Sequence, residues 1–301
     1  MEIAGSLLGS LIGLLCSILV GAGAFAVAAL VAAVFTAILA SAVFLFLTAT
    51  VKNKKMDNFK HVKYAHRGLH GDFCGSYSAE NSLSAFRKAA ELGFGIELDL
   101  RLSADGEVIV FHDDTLNRVA GREGRAEELT AEELAELSLL GTGEGVPTFK
   151  SVLECVGGRV PLLVEIKSDG KDQSVVAAAY KLLEQYEGAF ILESFNPLSL
   201  AALKKLDKSI PRGFLCTKHT KNENRRSLKY RVIQRHLLNF LARPSFIAAD
   251  KNEHKMLPIP IIRFLFRPAF MAWTIKSPEE EKKAYENGFD GVIFEGYIPE
   301  K

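Results

Sequence analysis

Cysteine is scarce in this chain: Cys16, Cys74, Cys155 and Cys216 are all it has, and no two of them stand in CxxC spacing. A disulfide framework and a structural zinc site are therefore not expected. Charge of either sign is missing altogether from Ile3 to Thr50, a stretch rich in Ala, Leu, Val and Gly. A water-facing element cannot be built from such a run, because one of its faces would have to be polar. No internal repeat is visible, and no low-complexity segment beyond the apolar run. Nor is there a surplus of basic charge: 37 Lys and Arg face 36 Asp and Glu, and nothing in that balance demands nucleic acid.

A secretory signal carries an apolar region of only ~7–15 residues behind a basic start. Here the run is far longer and the only early charge is Glu2, so a transmembrane segment is expected over residues 1–51. A bilayer core takes ~20 helical residues, and one helix through the whole run would measure about 72 Å. Two spans are favoured, a hairpin broken at "GAGA" (Gly21 to Ala24), since glycine weakens a helix interior; the alternative is one long helix. Lys52, Lys54, Lys55, Lys60 and Lys63 follow, opposed only by Asp57. Residues 52–61 read as a basic juxtamembrane linker, and the positive-inside tendency places the rest at the cell membrane on its cytoplasmic side.

Residues 62–301 are close to the size of a single (β/α)8 barrel. Short β-branched runs alternate with helical patterns, the signature of a parallel sheet covered by helices. Strands are expected at "HVKYAH" from 61, "GIELDL" from 95, "EVIVFH" from 107, "VPLLVEIK" from 160 and "AFILESF" from 189. "PRGFLC" from 211, "SFIAAD" from 245, "FMAWTI" from 270 and "GVIFEG" from 291 complete the set. Nine candidates suit a TIM barrel in which one element is added or split. Helices are expected over Ser82 to Leu92, Asp172 to Tyr186, Pro197 to Leu206 and Pro278 to Asn287. Residues 113–147, polar and punctuated by glycine, read as an insertion on the barrel. From Lys218 to Arg243 eight Lys and Arg stand against Glu223 alone. Its "SLKYRVIQRHLLNFLARP" has the pattern of an amphipathic helix, either lying on an anionic membrane or packed on the domain.

The stretch "IELDLRLSADGEVIVFHDD" puts Glu97 and Asp99 two apart in an otherwise buried strand, so both point to one face. Two carboxylates buried side by side repel, and one is driven to protonate unless a cation compensates. A divalent ion is the economical solution, and an all-oxygen site suits a hard ion, Mg²⁺ or Ca²⁺. "VEIKS" repeats the spacing with Glu165 and Lys167, which adds a third carboxylate and a positive charge. Together they describe a pocket for an anion bridged to a metal, and a phosphate ester fits it. "YAHRGLHG" brings His66 and Arg67 to the end of the first strand and "VFHDD" brings His112 to the end of the third, the face where barrel active sites lie. Two imidazoles there can work as base and acid, and Arg67 offers bidentate hydrogen bonds to phosphate. Taken singly, Glu97 and Asp99 can equally form a rim salt bridge with Arg101. His61, His70, His219, His236 and His254 read as surface or linker residues.

The string from "HRG" at 66 through "AENSLSAFRKAAELG" at 79 and "IELDLRLSADGEVIVFHDDTLNR" at 96 to "VEIK" at 164 closely resembles the glycerophosphodiester phosphodiesterases. The resemblance covers most of residues 62 to 299. It implies a (β/α)8 barrel that hydrolyses glycerophosphodiesters to glycerol 3-phosphate and an alcohol with a divalent metal. Carried over position by position, it makes His66 and His112 the acid/base pair, Glu97, Asp99 and Glu165 the metal ligands, and Arg67 and Lys167 the phosphate contacts. Glu80 and Asn81 match the family's Glu-Asn pair, Glu80 either orienting a catalytic group or capping a helix, and Trp273 matches its Trp-Thr element. Ala79 stands where the family usually has Pro, and Phe294 with Glu295 where it usually has Thr-Asp, which puts details of substrate fit in doubt. The nucleophile is either water or the glycerol 2-hydroxyl, and the oligomeric state is left open. Two rival readings remain: a lysophospholipase D or sphingomyelinase D type enzyme acting on membrane lipid, and a non-catalytic membrane-tethered scaffold. A nucleic-acid enzyme is disfavoured because the basic run has no stacking aromatics beyond Tyr230 and Phe240.

Overall fold

Each of the nine expected strands becomes one strand of a single sheet, in the computed structural model, which describes residues 2–168, 170–217 and 228–300. In chain order the strands are β1 (Lys63–Ala65), β2 (Gly71–Phe73), β3 (Ser76–Ser78), β4 (Gly95–Leu102) and β5 (Val108–Val110). They continue with β6 (Leu162–Ile166), β7 (Phe190–Ser194), β8 (Arg212–Cys216), β9 (Phe246–Asp250), β10 (Ala269–Ile275) and β11 (Gly291–Phe294). Parallel pairing runs β1-β4-β6-β7-β8-β9-β10-β11 and returns to β1, closing an eight-stranded barrel. β5 is the added element, antiparallel to the end of β4 through Leu100 to Leu102. The hairpin of β2 and β3 was not expected, because "GDF" and "SYS" carry no apolar alternation to announce a strand.

The barrel interior is filled by Tyr64, Leu163, Ile191, Leu215, Phe246, Ala248, Met271 and Ile293, with Met56 and Phe59 packed against them. Residues 52–61 are thus part of the barrel unit rather than a loose tether. A short 3-10 helix, Lys54–Asn58, starts with the Asn53 side chain accepting from the Lys55 N–H and buries Met56. Asn53 Nδ2 donates to Ser209 O at 2.9 Å and the Val51 N–H to Pro244 O at 2.9 Å. Ser209 and Pro244 precede β8 and β9, so this segment closes the N-terminal end of the barrel.

Ser82 caps helix Leu83–Glu91 by accepting from the Ala85 N–H, and Ser277 does the same for Pro278–Glu286, whose proline sits in the first turn as expected. The insertion folds as short helices, Asn117–Ala120 and Ala131–Ala135, over its own apolar cluster of Ile109, Phe111, Leu116, Val119 and Leu134. The basic stretch is not one continuous helix. Its described part is helix Leu228–Gln234, a turn in which His236 has φ 55°, and helix Asn239–Ala242. Residues 218–227, with His219 and the first half of the basic run, lie outside the described residues. His236 is buried against Phe214, their rings 5.1 Å apart, which corrects its reading as a surface residue.

The chain divides into two compact units, Met1–Leu47 and Thr48–Lys301. The first is helical: a single α-helix runs from Glu2 to Thr48 with no break at Gly21 to Ala24. This corrects the expected two-helix hairpin. A glycine costs a helix only about 1 kcal/mol relative to alanine, and the GAGA stretch supplies no residue that ends one. Gly13–Thr48 is long and apolar enough to cross a membrane, with Phe25, Leu30, Phe35 and Ile38 all exposed.

Candidate active site

Along β4 the side chains alternate. Ile96, Leu98 and Leu100 pack outward with Phe86, Ala89 and Val152 of the covering helices, so Glu97 and Asp99 between them face the interior. The register sets Asp99 beside Glu165 on β6, and Glu165 beside Glu193 on β7. Glu97, Asp99 and Glu165 are all buried, and each offers an oxygen within 4.8 Å of the others. Burial pushes the Glu97 carboxyl well up, helped by Asp99 and Glu165. Burial likewise pushes Glu165 up to about 7, against the pull of Lys167. Burial works on Asp99 too, but Lys167, His112 and Arg67 overcome it and hold that carboxylate well below its usual range. One firm anion and two reluctant ones describe a cluster short of positive charge. A hard divalent cation among three carboxylate oxygens would supply it, so the residues fit the ion their spacing implies.

The "HRG" turn aims two side chains into this chamber. Gly68 has φ +80°, and a Cβ there would stand 2.9 Å from the Ala85 Cβ, so only glycine lets the turn sit against helix Leu83–Glu91. The Arg67 N–H donates to Glu97 Oε2 at 2.8 Å, and the Arg67 guanidinium bonds Glu80 Oε1 at 2.7 Å and approaches Asp99 Oδ2 at 3.6 Å. Lys167 Nζ lies 3.0 Å from Asp99 Oδ1 and 2.7 Å from Glu165 Oε1. Both predicted phosphate contacts therefore hold carboxylates here. Asn81 Nδ2 donates to Asp99 Oδ2 at 2.9 Å. Glu80 does not cap the helix, a task Ser82 performs; it bridges Arg67 to Arg118, which donates to both its oxygens at 2.7 Å. Arg101 turns away from Glu97 and Asp99 and donates to the His112 carbonyl, so no rim salt bridge forms with them.

His66 and His112 sit at the C-terminal ends of β1 and β5, facing the same chamber. Each ring is tied to a carboxylate through Nδ1: His66 to Glu295 Oε2 at 2.8 Å, His112 to Asp113 Oδ1 at 2.7 Å. The His66 hydrogen bond brings Glu295 down to about 2. Asp113, despite burial, is held at about 2 by Arg118 and His112. With the carboxylates ionised, each imidazole donates from Nδ1 and keeps its Nε2 lone pair for the chamber. Burial lowers both imidazole pKa values, which favours the neutral ring at rest. The chamber is about 260 Å³, and Trp273, Phe195 and Glu193 complete its wall. The Trp273 Nε1–H has no hydrogen-bond partner among the described residues.

Glu193, Glu295, Asp113 and Arg118 were not picked out from sequence. Glu193 had a readable signal, a lone acid two places after the interior residue Ile191 in an apolar strand. Burial, then Glu165, raises it well above the ordinary carboxyl range. Glu295 was visible only as a departure from a pattern. His70, read as surface, is half-buried, and with His66 and Glu295 forms a second group whose ligand atoms lie within 4.8 Å of one another.

A closed parallel barrel with acids, bases and guanidinium at the C-terminal ends of its strands defines a TIM-barrel hydrolase of anionic substrates. Residues 66–296 match the model of the glycerophosphoryl diester phosphodiesterase family, and the chain belongs to that family. It is 30% identical over 228 residues to a glycerophosphodiester phosphodiesterase of Caldanaerobacter subterraneus, covering 71% of this chain and 87% of that one. It is 28% identical to a putative glycerophosphodiester phosphodiesterase of Bacillus subtilis, over 76% of this chain and 92% of that one. Among solved structures, glycerophosphodiester phosphodiesterase from Thermotoga maritima superposes with a TM-score of 0.59 at 29% identity, over 78% of this chain and 94% of that one. A phosphodiesterase of Oleispira antarctica, solved with the product sn-glycerol-3-phosphate, shares the fold with a TM-score of 0.65 at 24% identity, covering 79% of this chain and 94% of that one.

Proposed function

We propose that this glycerophosphodiester phosphodiesterase works by metal-assisted hydrolysis with His66 and His112 as the acid/base pair. The observation that carries the reading is the meeting, in one chamber, of two carboxylate-tethered imidazoles with three buried carboxylates. Glu97, Asp99 and Glu165 would hold the cation, which supplies Lewis-acid polarisation of a phosphoryl oxygen and offsets the charge of the cluster. Arg67 and Lys167 are engaged by these carboxylates at rest. With that negative charge balanced, both turn their donors to the phosphate oxygens, Arg67 by its planar fork and Lys167 as a point charge. One imidazole takes the proton of the attacking hydroxyl at Nε2 and the other gives a proton to the departing alkoxide. Glu295 and Asp113 hold the tautomer that makes this possible. The Lys-rich flank of the apolar helix supports reading the barrel as cytoplasmic, on the inner face of the cell membrane.

The test uses full-length protein with glycerophosphocholine and glycerophosphoethanolamine, following glycerol 3-phosphate release with Ca²⁺, Mg²⁺ or EDTA. Release is expected only with metal, and His112→Ala is expected to lower kcat by about 10²–10⁴. Release that survives EDTA, or a His112→Ala enzyme at full rate, contradicts the mechanism. No release from either compound under any metal leaves the lipid-directed or scaffold reading.

A further inference from the structure

Beside the three buried carboxylates stands a second group of side chains able to ligate a metal: His66 at the end of β1, His70 on the same turn, and Glu295 directly after β11. One ligand atom from each lies within 4.8 Å of the other two. The donor set differs in kind from its neighbour. Glu97, Asp99 and Glu165 offer oxygen alone, which suits a hard ion, whereas two imidazoles and one carboxylate suit a borderline transition ion such as Zn²⁺. Three protein ligands also leave such an ion one position for water. His66 Nδ1 and Glu295 Oε2 stand 2.8 Å apart across a single hydrogen bond. Two donor atoms bound to one ion at ~2.0–2.1 Å lie about 3 Å apart at a right angle, so an ion can replace the shared proton with little movement of either group. The His70 N–H donates to Gly68 O at 2.9 Å, which fixes the residue on the His66 turn, yet its half-buried ring makes no hydrogen bond among the described residues. Burial lowers the His70 pKa and so favours the neutral ring that a metal binds. The Glu295 carboxylate is only partly buried, with a side chain 27% exposed, which leaves the group open to solvent.

We propose that His66, His70 and Glu295 form an inhibitory site for Zn²⁺ or a similar borderline ion, distinct from the all-oxygen site beside it. The inhibition follows from the two nitrogens of the His66 ring. A metal at Nδ1 occupies that lone pair, and the proton now held there passes to Nε2 by exchange with solvent, so the ring stays neutral. Nε2 then has no lone pair with which to take a proton, and His66 is lost as a base. It is equally lost as an acid: an imidazolium gives up a proton near pH ~6.5, whereas the neutral ring holds its last one far more tightly. Either role given to His66 is therefore switched off by the same ion. The inhibitory effect rests on the acid/base reading proposed above; the site itself rests on the ligand geometry.

Full-length protein in nanodiscs is assayed with glycerophosphocholine at saturating Mg²⁺ or Ca²⁺, whichever supports turnover, while Zn²⁺ is raised. Turnover is expected to fall in a way that further Mg²⁺ or Ca²⁺ does not reverse. His70→Gln keeps the basal rate and needs at least about tenfold more Zn²⁺ for the same loss, since even groups that only orient a metal ligand are worth ~10–100-fold in affinity. Binding is read without turnover from the visible absorption of Co²⁺ added to the same protein: Asp99→Asn keeps the band and His70→Gln loses it. Inhibition that excess Mg²⁺ or Ca²⁺ relieves, or a His70→Gln enzyme as sensitive as the parent, puts the ion on the carboxylates and overturns the proposal. No Co²⁺ band, or one that survives His70→Gln, overturns the site. A His70-dependent band in an active enzyme that Zn²⁺ does not inhibit overturns the inhibitory role. If no metal supports turnover, the catalytic reading falls and the band alone decides the site.

Discussion

The two imidazoles proposed as the acid/base pair share one design, ring Nδ1 on a carboxylate and Nε2 toward the chamber, which leaves base and acid formally interchangeable. Their carboxylates differ: Asp113 is shared with Arg118, whereas the nearest other cation to Glu295 is Lys276 at 3.6 Å. Glu295 raises the His66 pKa through its hydrogen bond and its charge, against the larger lowering by burial. Glu295→Gln is therefore expected to move the His66 titration to lower pH. If His66 is the base, the acidic limb of the pH profile of kcat/KM shifts down; if it is the acid, the alkaline limb does. An unmoved profile contradicts the tether. Stability follows the same carboxylate. Its folded pKa of about 2 lies below the ordinary 4.5, so the stabilisation is full above that ordinary value and is lost as pH falls toward the folded one. From sequence, Glu97, Asp99 and Glu165 were legible because acids at period two inside apolar strands violate the expected burial pattern. Glu295 was legible only as an oddity, because its partner lies at the other end of the barrel chain, a relation no local pattern encodes.

The elements were legible where β-branched runs are bounded by turns, and all nine strands of the main sheet were found for that reason. The pattern failed where short-range chemistry and packing disagree. GAGA looked like a break, yet nothing there competes with helical hydrogen bonding. The run from Leu228 looked like one amphipathic helix, yet His236 is drawn inside against Phe214 and divides it. The segment after the apolar helix looked like a tether because its lysines dominate, while Met56 and Phe59 do the packing. Removing the aromatic ring tests this: Phe59→Ala is expected to cost about 3–5 kcal/mol, seen as a fall in Tm of roughly 6–20 °C at ~2–4 °C per kcal/mol for a domain of this size. A Tm unchanged within error would return residues 52–61 to the status of a linker.

At the scale of the whole molecule the two units differ in what holds them. The barrel unit has its own interior and outer apolar layers, to which the apolar helix contributes no residue among those described. A chain of residues 48–301 is expected to melt cooperatively, to hydrolyse glycerophosphocholine at the full-length rate and to leave the membrane fraction. Aggregation, or loss of turnover by this chain, would show that the helix contributes to the fold. The closing pair β1 and β11 brings residue 63 to residue 292 and hangs His66 on Glu295. During synthesis, then, the metal-type carboxylates and both imidazoles leave the ribosome long before the strand that completes the ring. A nascent or prematurely terminated chain carries nearly every group proposed for catalysis, yet has neither a closed barrel nor an oriented His66. The enzyme becomes competent only once β11 and Glu295 have emerged.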